Sequence, residues 1–395
     1  MDDKKIRALE VLDTYFPTFD GPTTLVSNYG KSMKKRNDMD VEVLVPEFKG
    51  YKDDPTFKVN RIKSVGAQEN YRCALPFLNS KAKKIIGRKE EPFDIIHAHS
   101  PFLLGRYAIK KAKKYKIPSV ITLHTCYHEE FDRLLKCKAL RRFMMKFIMK
   151  SFNRADYVIC VSDQTVDTLK GYGYKGKAYV IRNGTDLVYP ENSLELIERV
   201  NEKENLKDEE NVFLSVGRIV ENKKLDLCLD ALKVLKDKGV KFKYVIVGSG
   251  SWEDNLKKKV KDYEMEDYVI FTGKIMDRQL LAGYYLRSDL FLFPSTFDTA
   301  SLAPIEASAL KLPTLMTKGC STAEIITDDQ NGFLEIGDSN AWAEKILNII
   351  SDKQKLLEVK EKAHTEVYKT WDQVVDEMRK FYIFAIEDYN SKNKK

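Results

Sequence analysis

Residues 288–310 read SDLFLFPSTFDTASLAPIEASAL. The apolar run Leu290 to Phe293, stopped by Pro294, suits a buried strand of a parallel sheet. Ser301 as N-cap, Pro304 in the first turn, and the apolar spacing of Leu302, Ile305, Ala309 and Leu310 predict a helix that covers the sheet. Two carboxylates, Asp298 and Glu306, stand on either side of this turn with seven residues between them. In an open α/β sheet, ligands settle beyond the carboxyl ends of the strands, and the unpaired N–H groups of a helix start attract phosphate. Carboxylates placed there would repel phosphate, so they suit hydroxyl groups such as those of a sugar or ribose. A single carboxylate at a helix start also serves the helix dipole alone. The rest of the chain decides between these roles.

The same strand-turn-helix grammar recurs along the whole sequence. RALEVLDTYFP is followed by a turn, FDGPTT, and a helix to about Lys35; VEVLVP, FDIIHAHS, PSVITLHT, DYVICVS and AYVIRNG read as further strands. From Leu187 to Asn211 the chain turns polar and charged, which marks a domain boundary. The pattern then restarts with VFLSVGRI, a helix from Leu225 to Lys238, KYVIVGSG, a helix to about Glu264, YVIFTGKI and DLFLFPS. The expected class is α/β, with two Rossmann-like βαβ domains. Their expected extents are 1–190, 191–370, and a late amphipathic helix with a frayed SKNKK tail over 371–395.

The chain has 395 residues, 43% apolar and 32% charged, as an ordinary globular protein has. No apolar run approaches the roughly 20 residues of a membrane span, and MDDKKIRALEVLD has no secretory pattern, so a cytoplasmic location is expected. Cys73, Cys126, Cys137, Cys160, Cys228 and Cys320 show no CxxC pair, which predicts reduced, buried thiols. Asn183–Gly184–Thr185 is a chance glycosylation match in such a chain. The halves differ in charge: residues 1–190 carry 36 Lys+Arg against 22 Asp+Glu, and residues 191–395 carry 31 against 37. The first domain is therefore expected to meet something anionic.

Several ordered motifs resemble those of the family-4 retaining glycosyltransferases. YFPTFDGPTTLVSNYGKSM, with Gly21 at its turn, resembles the family's opening strand, turn and helix. DIIHAHS, the strand ending in His124 and Thr125, ADYVICVS, VIRNGTD and VGRIVENKKLD follow in the family's order. Asp298 and Glu306 occupy the family's paired acidic positions. The resemblance covers nearly the whole chain and implies a GT-B fold, two domains facing a cleft with the C-terminal helix crossing back to the first. It implies transfer of a hexose from a nucleotide diphosphate sugar, a UDP-sugar foremost, with retention and without a metal or other cofactor. Arg218 and Lys223 fall at the family's donor-phosphate positions, where cations stabilise the charge that develops on the leaving group. Glu306 would accept from ribose hydroxyls and Asp298 from a hydroxyl of the sugar. Backbone N–H groups over Thr299, Ala300, Ser301 and Leu302 would complete the grip, and His124 would reach the sugar from the first domain.

Three departures from the family pattern stand out: Asp298 where Glu is usual, Ser301 where Gly is common, and Asn222 where Glu is frequent. A sugar-nucleotide epimerase of the same fold, or a decayed sugar-nucleotide-binding partner subunit, are the alternatives; intact Arg218, Lys223 and Glu306 argue against decay. A dinucleotide fold is disfavoured because VGSG supplies Gly248 and Gly250 without a third glycine. His97, His99, His124 and His128 are clustered in sequence, but His97 and His99 alternate on a strand and should face opposite sides, so no metal site is expected. Asp38–Met39–Asp40 is expected to be a solvated turn.

Residues 58–154 carry 23 Lys+Arg against 7 Asp+Glu. Within them ALRRFMMKFIMKSFNRAD combines apolar residues with a basic stripe. This reads either as a core helix with a basic outer face or, with Arg142, Phe143, Lys146, Phe147 and Lys150 as the candidates, as contact with an anionic membrane surface at the inner face of the plasma membrane. RYAIKKAKKYK adds to the basic field without the stacking aromatics of a nucleic-acid surface. TLHTCYHEEF is also similar to the corresponding segment of bacterial diacylglycerol glucosyltransferases. The expected acceptor is an envelope glycan or a lipid-linked molecule.

Overall fold

The computed structural model describes residues 5–18, 20–68 and 71–393. They form two compact units, one from the residues up to Asn183 together with those from Trp371 onward, the other Gly184–Thr370. Phe19 in the expected FDGPTT turn, and Lys394 and Lys395 of the expected tail, lie outside the described residues.

The strands of the first unit are β1 (Ile6–Val11), β2 (Met39–Pro46), β3 (Lys58–Ile62), β4 (Ser64–Gln68), β5 (Tyr71–Ala74), β6 (Ile95–Ala98), β7 (Ser119–Leu123), β8 (Tyr157–Cys160) and β9 (Ala178–Val180). Seven of them make a parallel sheet in the order β3-β2-β1-β6-β7-β8-β9, with β4 and β5 a separate antiparallel pair. The near-continuous apolar runs read from the sequence follow from burial of this sheet on both faces.

The late amphipathic helix is Trp371–Asn393, and it belongs to this first unit. Its buried stripe of Trp371, Val374, Val375, Met378, Phe381, Tyr382 and Ala385 has helical spacing. Ion pairs and hydrogen bonds fix its position: Arg379 lies 2.6 Å from Asp38, and the Tyr157 hydroxyl donates to Asp388 at 2.6 Å. Asp38 is thus no solvated turn residue. Arg36 and Arg379 both hold it, and the hydrogen bond from Arg36 keeps its carboxyl below the usual carboxylate range. The SKNKK tail also departs from expectation, since the helix continues through Asn393.

The second unit contains β10 (Asn211–Val216), β11 (Phe242–Val247), β12 (Val269–Gly273), β13 (Leu290–Phe293), β14 (Thr314–Thr317) and β15 (Phe333–Glu335). They form a parallel sheet in the order β12-β11-β10-β13-β14-β15, so strand order reverses between β10 and β13. Side chains alternate between two cores. Phe213, Tyr244, Ile246, Leu290 and Leu292 pack with the helix Leu225–Asp237, while Leu214, Val245, Phe291 and Phe293 pack on the other face with Ala303 and Ala307. The helices that follow β10 and β13 consequently leave on opposite faces, and a crevice opens at the carboxyl ends of those two strands.

The polar segment 187–211 is not a linker. It holds the helix Ser193–Glu204, whose Leu196 and Val200 are buried in the second unit's core beside Leu281 and Tyr284. Charged letters disguised a helix that needs only two inward residues to be anchored.

Gly248, after β11, has φ +144°, and a Cβ placed on it would lie 1.8 Å from the Gly217 carbonyl oxygen. Gly217 N–H donates to the Val247 carbonyl at 3.0 Å, and Ile219 N–H to that of Ser249 at 3.0 Å, so the loops after β10 and β11 are laced together at this point. Gly248→Ala should therefore lower unfolding stability by about 3 kcal/mol in urea titration at an unchanged m-value.

Candidate functional site

Lys223 ends a short 3-10 turn, Glu221–Lys223, between β10 and the helix Leu225–Asp237. Its ammonium donates to both oxygens of Asp298, at 2.6 and 2.7 Å, and sits 5.5 Å from the Phe293 ring centroid. The two side chains are only 19% and 22% exposed, so each neutralises a charge that would otherwise be poorly solvated. Arg218 follows Gly217 directly after β10, is exposed, and has no side-chain partner among the described residues. A small pocket lies beside these groups, lined by Gly217, Arg218, Lys223, Phe293, Pro294 and Ser295.

Glu306 lies in the first turn of the helix Ala303–Ala309. Arg278 donates to its Oε1 from both terminal nitrogens at 3.1 Å, and the Tyr285 hydroxyl donates to Oε2 at 3.0 Å. Arg278 also pairs with Asp186. Burial, followed by the neighbouring Glu306 charge, pushes the Tyr285 phenol well above its ordinary range, so this hydroxyl stays a donor. Asp298 and Glu306 are thus held by different cations at opposite ends of one turn, an arrangement that presents two oriented carboxylates and is not an acid and base pair.

Arg278 and Tyr285 escaped the sequence reading. Both lie on the helix Arg278–Arg287, before the strand that carries the motif. Pairings across 28 and 21 residues of sequence leave no local signal.

Ser301 is not the N-cap. Leu302 takes that place without a side-chain cap bond, and Pro304 stands in the first turn as expected. Ser301 N–H instead donates to the Thr322 hydroxyl at 3.2 Å, while Thr322 Oγ1 donates to the Asp298 carbonyl at 3.0 Å. Thr322 therefore shapes the loop from Asp298 to Leu302. It withdraws the Ser301 N–H from the set expected to face a ligand, and Thr299 and Ala300 have partners of their own.

In the first unit, Gly21 opens the helix Gly21–Lys34, capped by Asp20, which accepts from Thr23 N–H at 2.8 Å. Among the described residues, no atom beyond its chain neighbours and its own helix backbone stands within 4 Å of the position a Cβ would take there. His124 follows β7 and meets His99, the two ring nitrogens 3.0 Å apart. His97 and His99 do not face opposite sides, contrary to expectation. Residues i and i+2 of an extended chain share a face, and with the chain bending at His99 just after β6 the two rings lie 4.0 Å apart between centroids. Glu10 joins them from β1, completely buried, and its carboxylate oxygen and the two imidazole nitrogens lie within 4.8 Å of one another. These atoms are engaged by hydrogen bonds within the protein, with Tyr382 and Thr122 as the further partners.

The basic stretch forms the helix Lys138–Phe152, with Ile148, Met149, Ser151 and Phe152 buried. Its first half is turned outward: Phe143 is 62% exposed and Leu140 44%, with Leu134 at 61% just before it. Arg142, Lys146 and Lys150 are also exposed, whereas Phe147 packs beneath the Arg106 guanidinium at 4.6 Å. Among the cysteines, Cys160, Cys228 and Cys320 are buried and Cys137 is exposed. No described helix is long and apolar enough to cross a membrane.

Residues 197–366 match the family model described as Glycosyl transferases group 1, and residues 19–189 match the one described as Glycosyltransferase Family 4. The chain is 31% identical to alpha-monoglucosyldiacylglycerol synthase of Streptococcus pneumoniae, over 82% of its own length and 74% of the relative's. It is 23% identical to the protein of the same name from Acholeplasma laidlawii, over 81% and 82%. Among solved structures it is similar to HepE of Anabaena in complex with UDP, with a TM-score of 0.73 and 18% identity over 95% of this chain and 99% of that one. Sucrose-phosphate synthase from Thermosynechococcus elongatus gives a TM-score of 0.76 at 18% identity, over 96% and 99%.

The hydrogen bonds to Glu306 make a graded stability series. Tyr285→Phe should cost about 1 kcal/mol in chemical denaturation, the worth of one buried hydrogen bond. Arg278→Met should cost more, about 2 kcal/mol, because it leaves a carboxylate only 12% exposed without its cation.

Proposed function

The chain belongs to glycosyltransferase family 4 and has the GT-B fold, and on that premise we propose that it is a retaining, metal-independent enzyme that moves a hexose from a UDP-sugar to a lipid acceptor of the cell envelope. The observation that carries this reading is Arg218, with no side-chain partner among the described residues, standing beside the Lys223–Asp298 pair at the reversal point of the second sheet. HepE is seen with UDP, and the two synthases are named for a glucosylated diacylglycerol, which supports the donor and acceptor classes.

Before the donor arrives, Lys223 cancels the Asp298 charge, so the entering diphosphate meets no bare carboxylate. On binding, Lys223 exchanges Asp298 for phosphate, and Asp298 accepts from a hydroxyl of the sugar. Arg218 takes the diphosphate in a forked contact. Glu306, oriented by Arg278 and Tyr285, uses its remaining lone pairs for the ribose hydroxyls. The bond from the sugar's C1 to the diphosphate oxygen breaks, and a bond from C1 to the acceptor oxygen forms on the same face. The acceptor's proton passes to the leaving phosphate, whose charge Arg218 and Lys223 stabilise as it develops. His124 contributes a hydrogen bond to a sugar hydroxyl, and Gly21, without a side chain, leaves room for substrate at the start of its helix.

The acceptor side rests on Leu134, Leu140 and Phe143, exposed apolar side chains, with the exposed Arg133, Lys136, Lys138, Arg142 and Lys146 in the same stretch of chain. That combination suits peripheral docking on an anionic bilayer at the inner face of the plasma membrane.

A panel of nucleotide sugars, assayed for slow nucleotide release, should single out one UDP-hexose. Arg218→Ala and Lys223→Ala should each lower turnover by about a hundredfold. Unchanged turnover in both removes the phosphate assignment, and a 2-epimer in place of free nucleotide points to the epimerase. In liposome flotation, the protein should be retained by vesicles containing anionic phospholipid at low salt and lost from neutral ones, with Phe143→Asp weakening retention by about tenfold. Equal behaviour on both vesicle types sinks the membrane assignment.

A further inference from the structure

Asp298 is held at two points, by its side chain and by its backbone. Lys223 donates to both carboxylate oxygens, at 2.6 and 2.7 Å, and the Thr322 hydroxyl donates to the main-chain carbonyl at 3.0 Å. Thr322 lies in the 3-10 helix Ser321–Ile325, within the connection from β14 to β15, and is only 3% exposed. The start of that connection grips the same loop. Thr317, the last residue of β14, donates from its hydroxyl to the Pro294 carbonyl at 2.8 Å. Two threonines of one neighbouring segment thus fix the loop after β13 at Pro294 and again at Asp298.

Chemistry sets the direction of the Thr322 bonds. A carbonyl only accepts, so the single hydroxyl proton goes to Asp298, and a lone pair of the same oxygen takes the Ser301 N–H at 3.2 Å. Asp298 and Ser301 are the first and fourth residues of a four-residue stretch. In a closed reverse turn, the carbonyl of the first residue accepts from the N–H of the fourth. Here the Thr322 hydroxyl stands between the two groups and holds the stretch open by its own width. With the hydroxyl removed, carbonyl and N–H are left to close on each other, which draws the Asp298 backbone, and its carboxylate with it, toward Ser301.

The two grips on Asp298 differ in what becomes of them during the reaction proposed above. Phosphate competes for Lys223, whereas the Thr322 bond involves neither of the charged groups. When Lys223 turns to phosphate, the Thr322 bond still holds the backbone from which the carboxylate reaches a sugar hydroxyl. A hydrogen bond to that hydroxyl tolerates little displacement of the acceptor oxygen.

We propose that Thr322 is a positioning residue of the donor site, which holds the turn from Asp298 to Ser301 open and so sets where the Asp298 carboxylate meets the transferred sugar. This rests on the reading of Asp298 as the sugar contact. Its effect is confined to the sugar: the nucleotide diphosphate alone carries no hexose and is held by Arg218, Lys223 and Glu306 in that reading.

Kinetics with the UDP-hexose that wild-type protein turns over, together with calorimetric titration of UDP, test the assignment. Thr322→Val keeps the side-chain shape and removes the hydroxyl; it should lower kcat about tenfold, with the UDP dissociation constant within about twofold of wild type. Thr322→Ala removes the same hydroxyl without adding volume and should repeat the result if the valine protein does not fold. Thr322→Ser keeps the hydroxyl and should recover turnover to within about threefold of wild type. In an Asp298→Ala background, Thr322→Val should add less than about a twofold further loss, because the two residues act through one contact. Wild-type kinetics in Thr322→Val overturns the assignment, and so do UDP binding weakened as much as turnover or a full tenfold loss in the Asp298→Ala background. Wild-type protein that releases nucleotide from no nucleotide sugar removes the proposed function, and this assignment with it.

Discussion

The reversal of strand order in a parallel sheet governs both units. Where two neighbouring strands send their following helices to opposite faces, nothing covers the carboxyl ends of those strands, and the backbone polar groups there are left for a ligand. In the second sheet the reversal falls between β10 and β13, which deliver Arg218 and Lys223 from one side and Asp298 from the other. In the first it falls between β1 and β6, which deliver Glu10, His97 and His99. Each sheet therefore gathers its chemistry at the same topological point, with opposite character: exposed and half-buried charge in one, a buried proton-sharing network in the other.

The charges of the second unit are organised so that none is costly while the site waits for substrate. Lys223 and Asp298 satisfy each other, and Glu306 shares Arg278 with Asp186. Arg218 is exposed, where water solvates it. Substitution of Asp for Glu at position 298 fits this arrangement, since both of its oxygens already reach the Lys223 ammonium, at 2.6 and 2.7 Å. The shorter side chain changes how far the carboxylate can extend toward a sugar, not whether the pair forms.

The sequence was legible where a single element carried its own signal. Leu290 to Phe293 with Pro294, the spacing of Leu225 to Lys238, and the period of the terminal helix all led to the observed elements. It was misleading where neighbours outvoted local pattern. The helix Ser193–Glu204 hid behind glutamates, because two buried residues suffice to anchor it. His97 and His99 were expected on opposite sides, but residues two apart on an extended chain share a face, and their rings meet. Ser301 gives its N–H to a hydroxyl 21 residues away and leaves the N-cap position to Leu302, and Arg278 reached Glu306 across 28 residues. Contacts between elements distant in sequence leave no periodicity to read.

Glu10 is the clearest case of such silence. In IRALEV it reads, with Arg7, as one of two charged letters in an otherwise apolar strand, the usual mark of an edge or a solvent-facing position. Yet β1 is central to its sheet and Glu10 has no exposure at all. Its partners come from β6, the bend after it, and the terminal helix, which returns from the far end of the chain to place Tyr382 within 2.9 Å. Removing that helix would strip the carboxylate of one of its donors and open it to a core that cannot solvate it. The return of the C-terminal helix to the first unit thus does more than cover an apolar face. It completes the hydrogen bonding of a fully buried acid that also pairs with His99.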